Sequence, residues 1–172
     1  IKTGKHTTVL ETRRYAQGVK VALPILTARG KQPGPVAVIT AGVHGRELHG
    51  IACIEQAWSR IDVKKLKGTV VLAPVMNPVG TRIHQQDYPI EQTRFRPTGI
   101  KQCMNINRTL PPERPSCRGT YAEEIGRVFF DAYLRHADFA MDMHGWSGHS
   151  LSLVWSHDAA LARGFGLPWH MV

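Results

Sequence analysis

Two short runs constrain this chain more than anything else in it. Val36-Ala37-Val38-Ile39-Thr40 and Thr69-Val70-Val71-Leu72-Ala73 are continuous, apolar and rich in β-branched residues, the pattern of strands buried on both faces. Gly42 ends the first and Pro74 stops the second. Between them, residues 47–60 carry apolar side chains at Leu48, Ile51, Ala52, Ile54 and Trp58, the stripe of an amphipathic helix. The rest of the chain fits round this strand–helix–strand unit. Val19-Lys20-Val21-Ala22-Leu23 alternates as a half-buried strand does, within an N-terminal stretch of short strands and turns. Thr120-Tyr121-Ala122-Glu123 forms a capping box, and the helix it opens places Ala122, Ile125, Phe129, Ala132 and Tyr133 on one face. Phe139-Ala140-Met141-Asp142-Met143 reads as a third core strand, residues 151–155 as a fourth, and residues 158–165 as a short helix. Strands alternating with helices predict an α/β fold with a largely parallel sheet, whose ligands bind beyond the carboxyl ends of the strands.

The 172 residues suffice for one domain with a real core. The formal charge is +9, but the basic residues are scattered, with a minor cluster at Lys64, Lys65 and Lys67. No basic stripe with interleaved aromatics appears, so nucleic acid is not an expected partner. Neither is a membrane, since no apolar run approaches the roughly 20 residues that span a bilayer. Cys53, Cys103 and Cys117 make an odd set without a CxxC pair. That argues for reduced thiols and a cytoplasmic location, with Cys53 as a small core residue of the first helix. The chain opens on Ile1 rather than Met, which suggests processing or an excerpt from something longer.

The chemistry concentrates at three places. In Gly42-Val43-His44-Gly45-Arg46-Glu47 a strand turns into a helix, and His44 and Glu47 stand three apart, the spacing at which helical side chains share a face. In Asp142-Met143-His144-Gly145, Asp142 and His144 alternate onto one strand face. Two imidazoles and one carboxylate suit zinc and leave a fourth position for water, as a catalytic site requires. Asn105-Ile106-Asn107-Arg108 lies in the long irregular stretch 77–118, which carries six prolines and by its length reads as functional. There an Arg fork beside an amide can anchor a carboxylate. A lone His-x-x-Glu is commonly chance or a surface helix pair, so its weight comes from its company. His49, His84, His136, His149 and His157 read as surface residues. Trp146 reads as a pocket wall or as core, Asp142 as a pocket or supporting residue, and Glu123 and Glu124 as serving a helix N-terminus.

Taken together, Ala41-Gly42-Val43-His44-Gly45 with Glu47, Pro74-Val75-Met76-Asn77-Pro78, Asn105-Ile106-Asn107-Arg108 and Asp142-Met143-His144-Gly145 resemble the zinc carboxypeptidase superfamily, most closely its succinylglutamate desuccinylase/aspartoacylase branch. The resemblance runs from about Val36 onward. It implies a three-layer fold, a mixed, mostly parallel sheet with helices on both faces, and one zinc-hydrolase catalytic domain over residues 1–172. It implies Zn2+ held by His44, Glu47 and His144, Asn107 and Arg108 on a substrate carboxylate, and Arg94, or else Arg96, at the oxyanion. The implied activity is hydrolysis of an amide bond in an N-acyl amino acid or similar small acidic substrate.

Three departures qualify it. Asn105 stands where the family usually has an Asp that supports a zinc-bound His. Arg46 is a mark of the peptidase branch. The family's general base, a Glu far downstream of the third ligand, falls beyond Val172. The expectation is therefore of a domain truncated at its C-terminus, completed by a further segment or assembling as a homo-oligomer. A metallocarboxypeptidase acting on peptides and an inactive zinc-binding module are the alternatives.

Overall fold

The computed structural model describes residues 2–16, 19–88, 104–110, 120–145 and 152–171. Its main sheet has five strands: β1 (Gly4–Ala16), β2 (Val19–Arg29), β3 (Gln32–Ala41), β4 (Lys67–Ala73) and β5 (Phe139–Met143), in the order β1-β2-β4-β3-β5. β3 runs parallel to both β4 and β5, while β1 pairs antiparallel with β2 and β2 antiparallel with β4. The sheet is thus mixed. Parallel pairing belongs to the three strands linked through helices, and the β1–β2 ribbon extends the sheet on the far side of β4.

The alternation of side chains along these strands feeds two cores. On one face Val21, Leu23, Ile25, Val38 and Val71 pack with Ile125 and Phe129 of α3 (Tyr121–Ala132). On the other, Ala41 and Leu72 pack with Ile54 of α1 (His49–Arg60), flanked by Ile39, Val70, Trp58 and Met143. Helices therefore cover both faces, giving three layers. Each large side chain buried completely, such as Leu23, Ile54 or Phe129, contributes about 1.5–3 kcal/mol.

α3 begins where the capping box places it: Thr120 Oγ1 accepts from the Glu123 N–H at 3.1 Å. Glu123 and Glu124 are themselves buried and reach Arg127 across one turn, so their charges are compensated inside the fold as well as at the helix end. Ala132 is exposed, because α3 reaches its last turn as the core face rotates away.

Four expectations need correction. The first helix starts at His49, not Glu47, because the Glu47 N–H closes a turn on the His44 carbonyl at 3.1 Å. Cys53 is exposed; Ile54 takes the core position beside it. β5 is not a fully buried strand, since it alternates half-buried and exposed residues at the end of the sheet. Finally, β6 (Leu153–Trp155) does not join the main sheet but pairs in parallel with β7 (Trp169–Met171), across α4 (Ala159–Gly164).

The long irregular stretch also hides a short helix, α2 (Pro78–Arg82). Asn77 caps it by accepting from the Gly80 N–H at 2.9 Å, and Pro78 occupies the first turn, where its missing donor costs nothing. Among the described residues no helix is long and apolar enough to cross a membrane.

Candidate metal centre

The cluster forms where the carboxyl ends of β3 and β5 meet. β3 stops at Gly42, whose φ of +60° few side chains tolerate. The chain then turns through His44 and Gly45. The Gly45 N–H donates to the Gln86 carbonyl at 3.1 Å. A Cβ on Gly45 would collide with the backbone of Gly80 and Gln85. The loop thus clamps down on the α2 region. Arg46 adds to the clamp, its Nε donating to the His84 carbonyl at 2.8 Å. His84 itself adopts φ +51°. The consequence is a buried His44 and a half-buried Glu47, brought together by a turn rather than by a helix face.

His144 follows the last residue of β5 and reaches the same point from the neighbouring strand. One ligand atom from each of His44, Glu47 and His144 lies within 4.8 Å of the others. The arrangement is nearly symmetric about the carboxylate. His44 Nδ1 lies 2.7 Å from Glu47 Oε1, and His144 Nδ1 lies 3.0 Å from Oε2. The Gly145 N–H also donates to Oε2, at 2.9 Å. The two rings stand 5.0 Å apart between centroids.

Each Nε2 faces an acceptor as well. His44 Nε2 is 3.3 Å from Asn105 Oδ1, and His144 Nε2 is 2.8 Å from Asp142 Oδ2. Asn105 Oδ1 already accepts from the Asn107 N–H at 3.0 Å, which fixes it as an oxygen. So all four ring nitrogens look at acceptors, yet a neutral imidazole carries one N–H. The site therefore calls for added positive charge, either as protons or as a cation between the Nδ1 atoms and the carboxylate. That donor set fits a metal ion, with both Nε2–H groups turned outward to supporting oxygens.

The same environment acts on His144 electrostatically. The hydrogen bond to Asp142 outweighs the opposing effect of burial, and the two carboxylates raise its pKa from 6.5 to about 9.

Asn105 arrives by packing. Met104 and Ile106 on either side of it are buried in the α3 core, and the Thr109 hydroxyl ties the short 3-10 turn Ile106–Arg108 to that helix, lying 2.8 Å from the Ile106 carbonyl and 3.2 Å from the Ala122 carbonyl of α3. On this turn Asn107 is half-buried and Arg108 exposed. Arg94, Arg96, Trp146 and His149 lie outside the described residues. His49, His84, His136 and His157 are exposed, as expected.

One participant escaped the sequence reading. Thr40, buried on β3, donates to Asp142 Oδ1 at 2.7 Å. The only clue was a hydroxyl ending an otherwise apolar run; its partner is set by register across β3 and β5, where Thr40 stands opposite Asp142.

A three-layer α/β fold with a His–Glu–His cluster at the carboxyl ends of its parallel strands is the architecture of the zinc carboxypeptidase-like superfamily. Within it, the chain belongs to the succinylglutamate desuccinylase/aspartoacylase family, whose catalytic-domain model matches residues 33–160.

Relatives agree. The chain is 25% identical over 134 residues to the N-alpha-acetyl-L-2,4-diaminobutyric acid deacetylase of Halomonas elongata, covering 78% of this chain and 34% of that one. It is similar in fold to an aspartoacylase family protein from Mesorhizobium loti, with a TM-score of 0.80 and 22% identity, over 98% of this chain and 53% of the other. The product-bound ectoine utilization protein EutE from Ruegeria pomeroyi gives a TM-score of 0.71 and 22% identity, over 99% of this chain and 52% of the other. The chain thus spans about half the length of these structures and about a third of the curated relative.

Proposed function

We propose that this chain carries the zinc-binding part of a hydrolase that cleaves the amide bond of an N-acyl amino acid or a similar small acidic substrate. One observation carries the reading: two Nδ1 atoms converge on the two oxygens of one carboxylate while both Nε2 atoms are engaged elsewhere. When bound, zinc supplies Lewis acidity toward a carbonyl and acidifies water.

The protein's own part is positioning. Glu47 and the two rings hold the cation at the strand ends, where substrate enters. Asn107 and Arg108, on the turn that begins at Asn105, fix a substrate carboxylate through amide and guanidinium donors. Arg94, or Arg96, steadies the oxyanion. The name of the Halomonas elongata relative, a deacetylase of an N-acetylated diamino acid, supports the deacylase over the peptidase. So does the local engagement of Arg46 on the His84 carbonyl.

Metal analysis tests this directly. The purified chain should hold about one zinc, and His44→Ala and His144→Ala should release it. An intact chain with no specific cation overturns the reading. Acylated amino acids assayed beside short peptides then separate the rivals. Release of C-terminal residues without deacylation would make this a metallocarboxypeptidase. Bound zinc without turnover of either would make it a binding module completed by another chain.

A further inference from the structure

We infer that Thr40 is a positioning residue for the cation site, acting through Asp142 to set the ring of His144. This rests on the reading of His144 as a ligand, and extends it one layer into the sheet.

Asp142 is the partner on which the orientation of His144 depends, and its carboxylate is partly open to solvent, 30% exposed. Left alone, such a group rotates freely about its terminal torsion, and a rotated carboxylate would release Nε2. Thr40 removes that freedom. Its side chain is buried at 6% exposure and, being β-branched, is stiff. Its hydroxyl has one proton and two acceptors in reach, Asp142 Oδ1 at 2.7 Å and the Met141 carbonyl at 3.4 Å, so the carboxylate takes the stronger bond.

With Oδ1 pinned, Oδ2 is aimed at His144 Nε2 at 2.8 Å, and Nδ1 is left pointing at Glu47. The chain of contacts Thr40–Asp142–His144–Glu47 runs from the sheet interior to the cation position. Its first link is fixed by the backbone register of β3 against β5.

Zinc affinity of the purified chain, measured by competition with a chromogenic chelator, tests this together with the visible absorption of the Co2+-loaded protein. Thr40→Val keeps the shape and removes the donor. It should weaken zinc about tenfold, the low end of what supporting partners of a ligand contribute, and shift the Co2+ spectrum. Thr40→Ser should restore both. In an Asp142→Ala background, Thr40→Val should change nothing further, because its route to the ring is gone. A merely structural role would leave the loss undiminished in that background, and would overturn the inference. So would wild-type affinity in Thr40→Val. If the wild-type chain itself binds no zinc through His44, the ligand reading fails and this inference falls with it.

Discussion

The two histidines of the cluster reach Glu47 by different physical means. His44 is held by backbone. It sits buried in a turn whose carbonyls and N–H groups are tied to the segment that follows β4 and to the α2 region: Met76 N–H to the Ala41 carbonyl at 3.0 Å, Asn77 N–H to the Gly42 carbonyl at 2.8 Å, Gly45 N–H to the Gln86 carbonyl at 3.1 Å. Its outer nitrogen meets a neutral amide, at 3.3 Å. His144 is held by side chains. Its ring is 37% exposed at the end of the last strand of the sheet, and a charged carboxylate backed by a buried hydroxyl grips it at 2.8 Å. Where the main chain is rigid, a weak outer contact suffices. Where it lies open, the orientation must be built from a relay. In this cluster the closer outer contact belongs to the more exposed ring.

Glu47 joins the two arms, so its substitution should have the largest effect. Glu47→Gln removes the charge that both Nδ1 atoms face, and should weaken zinc by more than the ~100-fold upper range of changes at outer partners, read by chelator competition. A loss no greater than that of His144→Ala would mean that the carboxylate serves one arm alone. Gly45→Ala attacks only the rigid arm: its Cβ meets backbone that cannot move aside, and the chain should lose about 3 kcal/mol in denaturant unfolding. Unchanged stability would show that the turn is not locked.

Asn105→Asp should strengthen zinc up to about tenfold, because the position keeps its acceptor geometry and gains a charge beside His44 Nε2. No gain would mean that backbone already saturates that arm.

The gentlest test is pH. In the metal-free chain the His144 pKa lies at about 9, above its unfolded 6.5, so the protonated ring stabilises the fold. That contribution is whole below pH 6.5 and fades as pH rises through about 9. Thermal melts of metal-free wild type minus His144→Gln should show the difference shrinking over that window. A flat difference would mean that Asp142 does not grip the ring in solution.

By itself the sequence determined what local pattern can encode. The β-branched runs of β3 and β4, the Thr120 cap and the core face of α3 as far as Phe129 appear where periodicity and capping chemistry place them, since each depends on neighbours within a few residues. The order of motifs determined the candidate site too, because His44, Glu47, Asn105 and His144 all fall at strand ends or in the long loop. Tertiary structure alone decided the rest. That Cys53 turns outward, that β6 leaves the main sheet for β7, and that α2 interrupts the irregular stretch depend on what each segment packs against. The relay from Thr40 to His144 begins with a bond between Thr40 and Asp142, residues 102 apart. It exists only because β3 and β5 align in one register, and a slip of β5 by one residue would turn Asp142 away from Thr40 to the opposite face.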